Sequence, residues 1–201
     1  MAACVSAVVA LGCGSSSSPS STAAGTSGSS GTSSSAGARS LSAEALSKAT
    51  GDIPDNQVFL HFTNTSAGYS IKYPEGWTQS GSGSDVTFRD KNNIVHIVTG
   101  GGSQPPTAAT VTAELKALKR SDPTLAFNTP RTIALGSTRA IKLTYRTRSS
   151  PDPVTGKSVL LIVDRYELAG PGRRATVDLG TPRGVDNVDA YRMMIQSFRW
   201  R

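Results

Sequence analysis

The sequence predicts an α+β domain over residues 57–201, an antiparallel β-sheet flanked by helices, carried at the end of a long polar tether. Three observations carry this reading. Apolar residues alternate at a period of two in several short runs, and two later segments repeat them at helical spacing. The strand runs follow one another through short turns, which forces antiparallel pairing, since a parallel pair needs a crossover of about a dozen residues. Residues 14–38 are almost wholly Ser, Gly, Ala and Thr, and such a segment cannot bury enough apolar surface to offset its ordering entropy.

The N-terminus gives the tether a purpose. Residues 2–12 read AACVSAVVALG, an apolar run that is short of the roughly 20 residues needed to cross a bilayer and fits the core of a signal peptide. It ends in Ala10-Leu11-Gly12-Cys13, which resembles the bacterial lipobox, with Ala10 where that motif usually carries Leu. The resemblance implies cleavage before Cys13 and acylation of its thiol, palmitate being among the expected chains. Several acyl chains give stable anchoring where a single one binds marginally. No Lys or Arg precedes the apolar run, so the true start codon is expected upstream. Residues 1–13 are thus read as signal peptide and lipobox, and 14–56 as tether and linker. The Ser/Gly-rich part should reach roughly 25–30 Å on average. Residues 39–56 contain LSAEALSKA and are expected to dock loosely.

The domain elements then follow in order. Residues 58–62 are a strand candidate. Residues 68–73 alternate, with Tyr69, Ile71 and Tyr73 on one face, and Pro74-Glu75-Gly76-Trp77 turns the chain. Residues 85–89 and 94–99 read as a hairpin pair joined by Asp90-Lys91-Asn92-Asn93. Residues 107–120 form the first helix: Ala108, Val111, Leu115 and Leu118 make one stripe, Thr107 caps it, and Lys116, Lys119 and Arg120 suit the negative end of its dipole. After a short segment at 132–135, residues 138–148 place Ile141, Leu143 and Tyr145 inward. Residues 157–168, apolar from 159 to 163, read as a central strand, and 174–179 as the last. Residues 184–198 form the second helix, with Val188, Tyr191, Ile195 and Phe198 on one stripe and Asp186 and Asp189 in its first turn. About 140 residues suffice for one sizeable core.

The stretch Gly68-Tyr69-Ser70-Ile71-Lys72-Tyr73-Pro74-Glu75-Gly76-Trp77 resembles the opening strand and turn of the PsbP-like family, and the later order of hairpin, helix, meander and C-terminal helix is similar to that family and its Mog-type and mycobacterial lipoprotein relatives. The resemblance implies a PsbP/Mog-like sandwich. It also implies a binding or assembly role: PsbP is an extrinsic subunit of photosystem II, the Mog branch binds a small GTPase, and some lipoprotein relatives are linked to envelope lipid traffic. None of the family's metal ligands or partner residues maps onto this sequence.

Composition narrows the chemistry. Both cysteines, Cys4 and Cys13, lie near the N-terminus, which excludes a disulfide framework or thiolate zinc site within the domain. The chain carries a net +7, and its first fifty residues hold only Arg39, Lys48 and Glu44, so nearly all the excess lies beyond them. A basic excess suits an anionic membrane surface or an acidic partner. Arg139, Lys142, Arg146, Arg148, Arg173 and Arg174 are the candidates for such contacts, on the expectation that they gather on one sheet face. Gly156-Lys157-Ser158 looks like the end of a P-loop, but Pro151 stands where the first glycine belongs and a strand follows instead of a helix. There is no G-x-S-x-G elbow. His96, on the strand face of Ile94 and Val98, and His61, beside Phe59 and Phe62, are read as packed strand residues. Asp85, Asp90, Asp152, Asp164 and Asp178 lack EF-hand spacing and are read as turn and surface carboxylates. Tyr69, Tyr73 and Trp77 are candidates for a pocket, with core packing the stronger reading.

Together these features predict a non-enzymatic lipoprotein on the extracytoplasmic face of the cell membrane, held by its lipid, that binds or assembles with an envelope protein. No cofactor, metal or nucleic acid is expected. The alternatives are a lipid or small-ligand carrier, which needs an apolar cavity between sheet and helix, and, by family analogy, an extrinsic photosystem-type subunit. A hydrolase would need an exposed histidine beside a serine and a carboxylate.

Overall fold

The computed structural model describes residues 51–201 apart from Ser103, Thr124, Ser137 and Pro153. Cys13, the lipobox, the Ser/Gly tether and the linker up to residue 50 lie outside the described residues. Strands β1 (Phe59–Asn64), β2 (Tyr69–Pro74) and β11 (Arg199–Trp200) form a three-stranded sheet. A second sheet of eight strands comprises β3 (Thr78–Ser82), β4 (Asp85–Asp90), β5 (Asn93–Gly101), β6 (Ala126–Phe127), β7 (Arg131–Leu135), β8 (Thr138–Arg148), β9 (Leu160–Gly170) and β10 (Arg173–Pro182). Its order is β3-β4-β5-β10-β9-β8-β6, with β7 also on β8, and every pair is antiparallel. Helices α1 (Ala108–Ser121) and α2 (Val188–Ser197) lie on opposite faces of this sheet. The expected α+β class is the observed one.

The register explains the layers. Val177 sits opposite Tyr166 on β9 and Ile97 on β5, so these three share one face. That inner face also carries Val86, Phe88, Val95, Leu168 and Leu179, and packs against Tyr191, Met194, Ile195 and Phe198 from α2 and its C-terminus and Tyr69 and Ile71 of β2. The outer face is covered more narrowly: Val111 and Leu115 of α1 meet Ile141 and Leu143 of β8. Thr107 caps α1 through a capping box with Thr110, as its sequence position predicts.

The structure departs from the sequence reading at several points. β3 is exposed along its whole length, so no apolar alternation announces it. β11 is two residues long and is held by β2 and by Trp200, whose indole donates to the Ala169 carbonyl at 2.9 Å and lies where a Cβ on Gly170 would stand. Leu118 and Val188, each at the edge of its helical stripe, are exposed. The second helix begins at Val188, after a turn in which Gly184 adopts φ 93°. The linker docks closely from Gly51 onward: Ile53 is buried, its N–H donates to Asn187 Oδ1 at 2.8 Å, and the Gly51 carbonyl accepts from Asn187 and Asn93 side chains.

Candidate functional site

The six basic candidates do not gather on one face. Strand alternation sends Lys142, Arg146 and Arg148 of β8 to the inner side and Arg139 to the outer side. Lys142 is already committed: its Nζ stands 2.7 Å from Asp164 Oδ2 and lies over the Tyr166 ring. Burial disfavours its charge and is the largest single effect, but the hydrogen bonds and charges of Asp164 and Tyr166 together outweigh it and raise its pKa. Arg174 faces outward and pairs with Glu114 of α1 at 3.1 Å. Arg173 lies 4.6 Å over the Trp200 ring and donates to backbone carbonyls of Ala67 and Arg201. Arg139, Arg146 and Arg148 are exposed.

Tyr69, Tyr73 and Trp77 belong to the inner core and line none of the clefts described below. Tyr69 stacks on Phe198 at 5.4 Å and Tyr73 on Phe88 at 4.3 Å, while Trp77 joins the same cluster. The histidines correct the expectation of packed side chains. His61 is exposed on β1, which lies at the edge of the small sheet. His96 points to the outer face, is one-third exposed, and bonds through Nε2 to Asp85 Oδ1 at 2.9 Å. That face carries only the narrow cover of α1, so sharing a side with Ile94 and Val98 does not bury it.

The outer face holds charges that the sequence reading passed over. Arg165 grips Asp178 with two hydrogen bonds of 2.7 and 2.6 Å, Tyr145 donates to the same carboxylate at 3.0 Å, and Arg165 also lies over the Tyr145 ring. Burial pushes the Tyr145 hydroxyl pKa up. Burial acts most strongly on Arg165 and would lower its pKa, but Asp178, with Tyr145 and Glu167 adding to it, raises the pKa overall. Asp178 was expected at the surface and is 5% exposed. Beside this cluster Glu167 is 2% exposed and accepts from Thr176 Oγ1 at 2.8 Å. Its pKa is raised, chiefly by desolvation, with the Thr176 bond and more distant Arg165 and Arg174 acting against the shift. The sequence signal was faint: residues 163, 165 and 167 alternate as one face of β9, but only the neighbouring strands show what they meet.

Two of the clefts beside the large sheet take in candidate residues. On the inner side, Ile162, Tyr166, Leu179, Val188 and Tyr191 wall a space of about 350 Å³ between the sheet and α2, with the Lys142–Asp164 pair on its rim. On the outer side, Pro105 and Pro106, which lead into α1, face β7, β8 and β9 across a larger space of about 670 Å³. Thr132, Ile133, Ala134, Ile141 and Ala169 are among its lining residues, together with the buried Glu167 and the exposed Arg139. Among the described residues, no group of three His, Cys, Asp or Glu side chains is placed to hold a metal ion, and no helix is long and apolar enough to cross a membrane.

No family model and no curated protein matches the sequence. Solved structures do match the fold. The cyanobacterial PsbP protein CyanoP of Synechocystis superposes with a TM-score of 0.54 at 17% identity, over 75% of this chain and 98% of that one. The domain has the PsbP-like fold. The yeast Ran-binding protein Mog1p from Saccharomyces cerevisiae is similar at 7% identity and a TM-score of 0.46, over 72% of this chain and 96% of that one. LpqN of Mycobacterium tuberculosis, described as involved in cell envelope biogenesis, is similar at 15% identity and a TM-score of 0.40, over 72% and 91%. These likenesses concern the fold. Tyr69, Tyr73 and Trp77, within the motif that carried the resemblance, are packing residues of this core.

Proposed function

We propose that the chain is a lipid-anchored module on the extracytoplasmic face of the cell membrane, attached through Cys13, that binds or assembles with an envelope protein and turns over no substrate. The observation that best supports the binding role is where the potential catalysts stand. Neither His61 nor His96 lines either of the two clefts described above, which combine apolar walls with a number of polar side chains, as ligand sites do. The His96–Asp85 pair is the nearest approach to hydrolytic machinery, and the contacts of its ring include no serine hydroxyl. The tether and the cysteine after an apolar run support the anchor.

Metabolic labelling with a fatty-acid analogue tests the anchor. The wild-type protein should take up label and sediment with membranes, and Cys13→Ala should do neither; a labelled Cys13→Ala protein overturns the reading. Cross-linked capture from native membranes should return a reproducible protein partner, and capture that returns none counts against assembly. The clefts between the sheet and its flanking segments favour a second reading, a carrier of lipid or a small ligand. Native mass spectrometry of protein taken from its own membranes should then show a bound species.

A further inference from the structure

We propose that the outer-face cleft binds a small apolar molecule bearing a primary ammonium group, with Glu167 as its counter-ion. This deepens the carrier reading and rests on it. The space of about 670 Å³ lies within the range of small-molecule sites. Pro105, Pro106, Ala134, Ile141 and Ala169 give it apolar surface for an alkyl or aromatic body, with Thr132, Thr138 and Arg139 among its polar lining.

Glu167 is the feature without a structural explanation. It lies on β9, inside the sheet, with almost no exposure. Among the described residues no cation reaches it within ion-pair distance. The two arginines nearest in charge are spoken for, Arg165 by Asp178 and Arg174 by Glu114. Thr176 occupies one carboxylate oxygen. A buried carboxylate without a partner is costly, and a cation seated beside it removes most of that cost. Glu167 is among the residues that line the cleft, so the missing partner can come from the ligand. Arg139, also on the cleft, is exposed, and solvent screens its repulsion more than it screens the attraction of the buried carboxylate.

The pairing also predicts linkage. Glu167 must be ionised to hold an ammonium, so affinity should rise with pH as its carboxyl deprotonates. Calorimetric titration of the purified domain with octylamine, octanol and octanoate tests the site. Octylamine should bind at least about tenfold more tightly than either analogue. Glu167→Gln should remove that preference while leaving octanol unchanged. The thermal midpoint of Glu167→Gln, expected at or above the wild-type value, separates lost binding from lost folding. Ala169→Leu, which fills the cleft, should weaken all three probes. Equal binding of the probes, an octylamine affinity unmoved by Glu167→Gln, or no binding of octylamine overturns the proposal. A bound species seen by native mass spectrometry that survives Ala169→Leu would keep the carrier reading and move it to the α2 cleft.

Discussion

Arg165 and Asp178 face each other across β9 and β10 and are joined by a bidentate pair that Tyr145 completes. Removing one member strands the other. Arg165→Met should therefore lower unfolding stability by roughly 3–5 kcal/mol in a denaturant titration, while replacing both residues by apolar ones should recover much of the loss. Glu167 behaves differently because, among the described residues, no cation stands within ion-pair distance of it. Its carboxyl pKa is raised in the folded state, so the folded protein holds its proton at pH values where the unfolded chain has released it. The wild-type protein should lose stability as pH rises from the ordinary carboxylate range through the raised value. Glu167→Gln has no such proton to lose. Its melting temperature should match wild type in acid and exceed it at neutral pH. The basic residues give the lesson of this scale. Arg139 and Lys142 are near in sequence and on opposite faces, because one step of odd length along a strand reverses the side chain.

Among the elements, α1 is the one most fully written in its own residues. Its cap, its basic last turn and the Val111 and Leu115 stripe were all legible, since a helix bonds within itself and each signal is local. It is also thinly attached, through a small cluster with Ile141 and Leu143. Leu143→Ala should cost about 2–4 kcal/mol if unfolding remains cooperative. Amide exchange should speed up in α1 before it does in β10, which has a neighbour strand on each side. The start of α2 was less legible. Asn187 precedes it but spends its side chain on Gly51, Ile53, Asn93 and Thr181 and caps nothing. β3 and β11 were not legible at all. Each owes its existence to a partner strand, and hydrogen bonds between strands leave no trace in a five- or two-residue sequence.

For the whole molecule, the point where the chain meets the domain is set by that asparagine network. A chain beginning at Gly51 should fold with full stability. One beginning at Gln57 loses the buried Ile53 and leaves the side chains of Asn93 and Asn187 short of partners. It should be less stable by roughly 2–4 kcal/mol in matched thermal unfolding. The sequence by itself determined the class of fold, the order of most strands, both helices and the polar segment ahead of the domain. These follow from periodicity, turn chemistry and composition, which act over a few residues. Only the tertiary structure decided which face of β8 meets α1, that Lys142 is committed to Asp164, and that His96 meets Asp85 in the open. It alone placed Glu167, without an ion-pair partner among the described residues, against a cleft. Such facts depend on which strands become neighbours and which face a helix leaves bare, and those choices are made by burial summed over the whole chain.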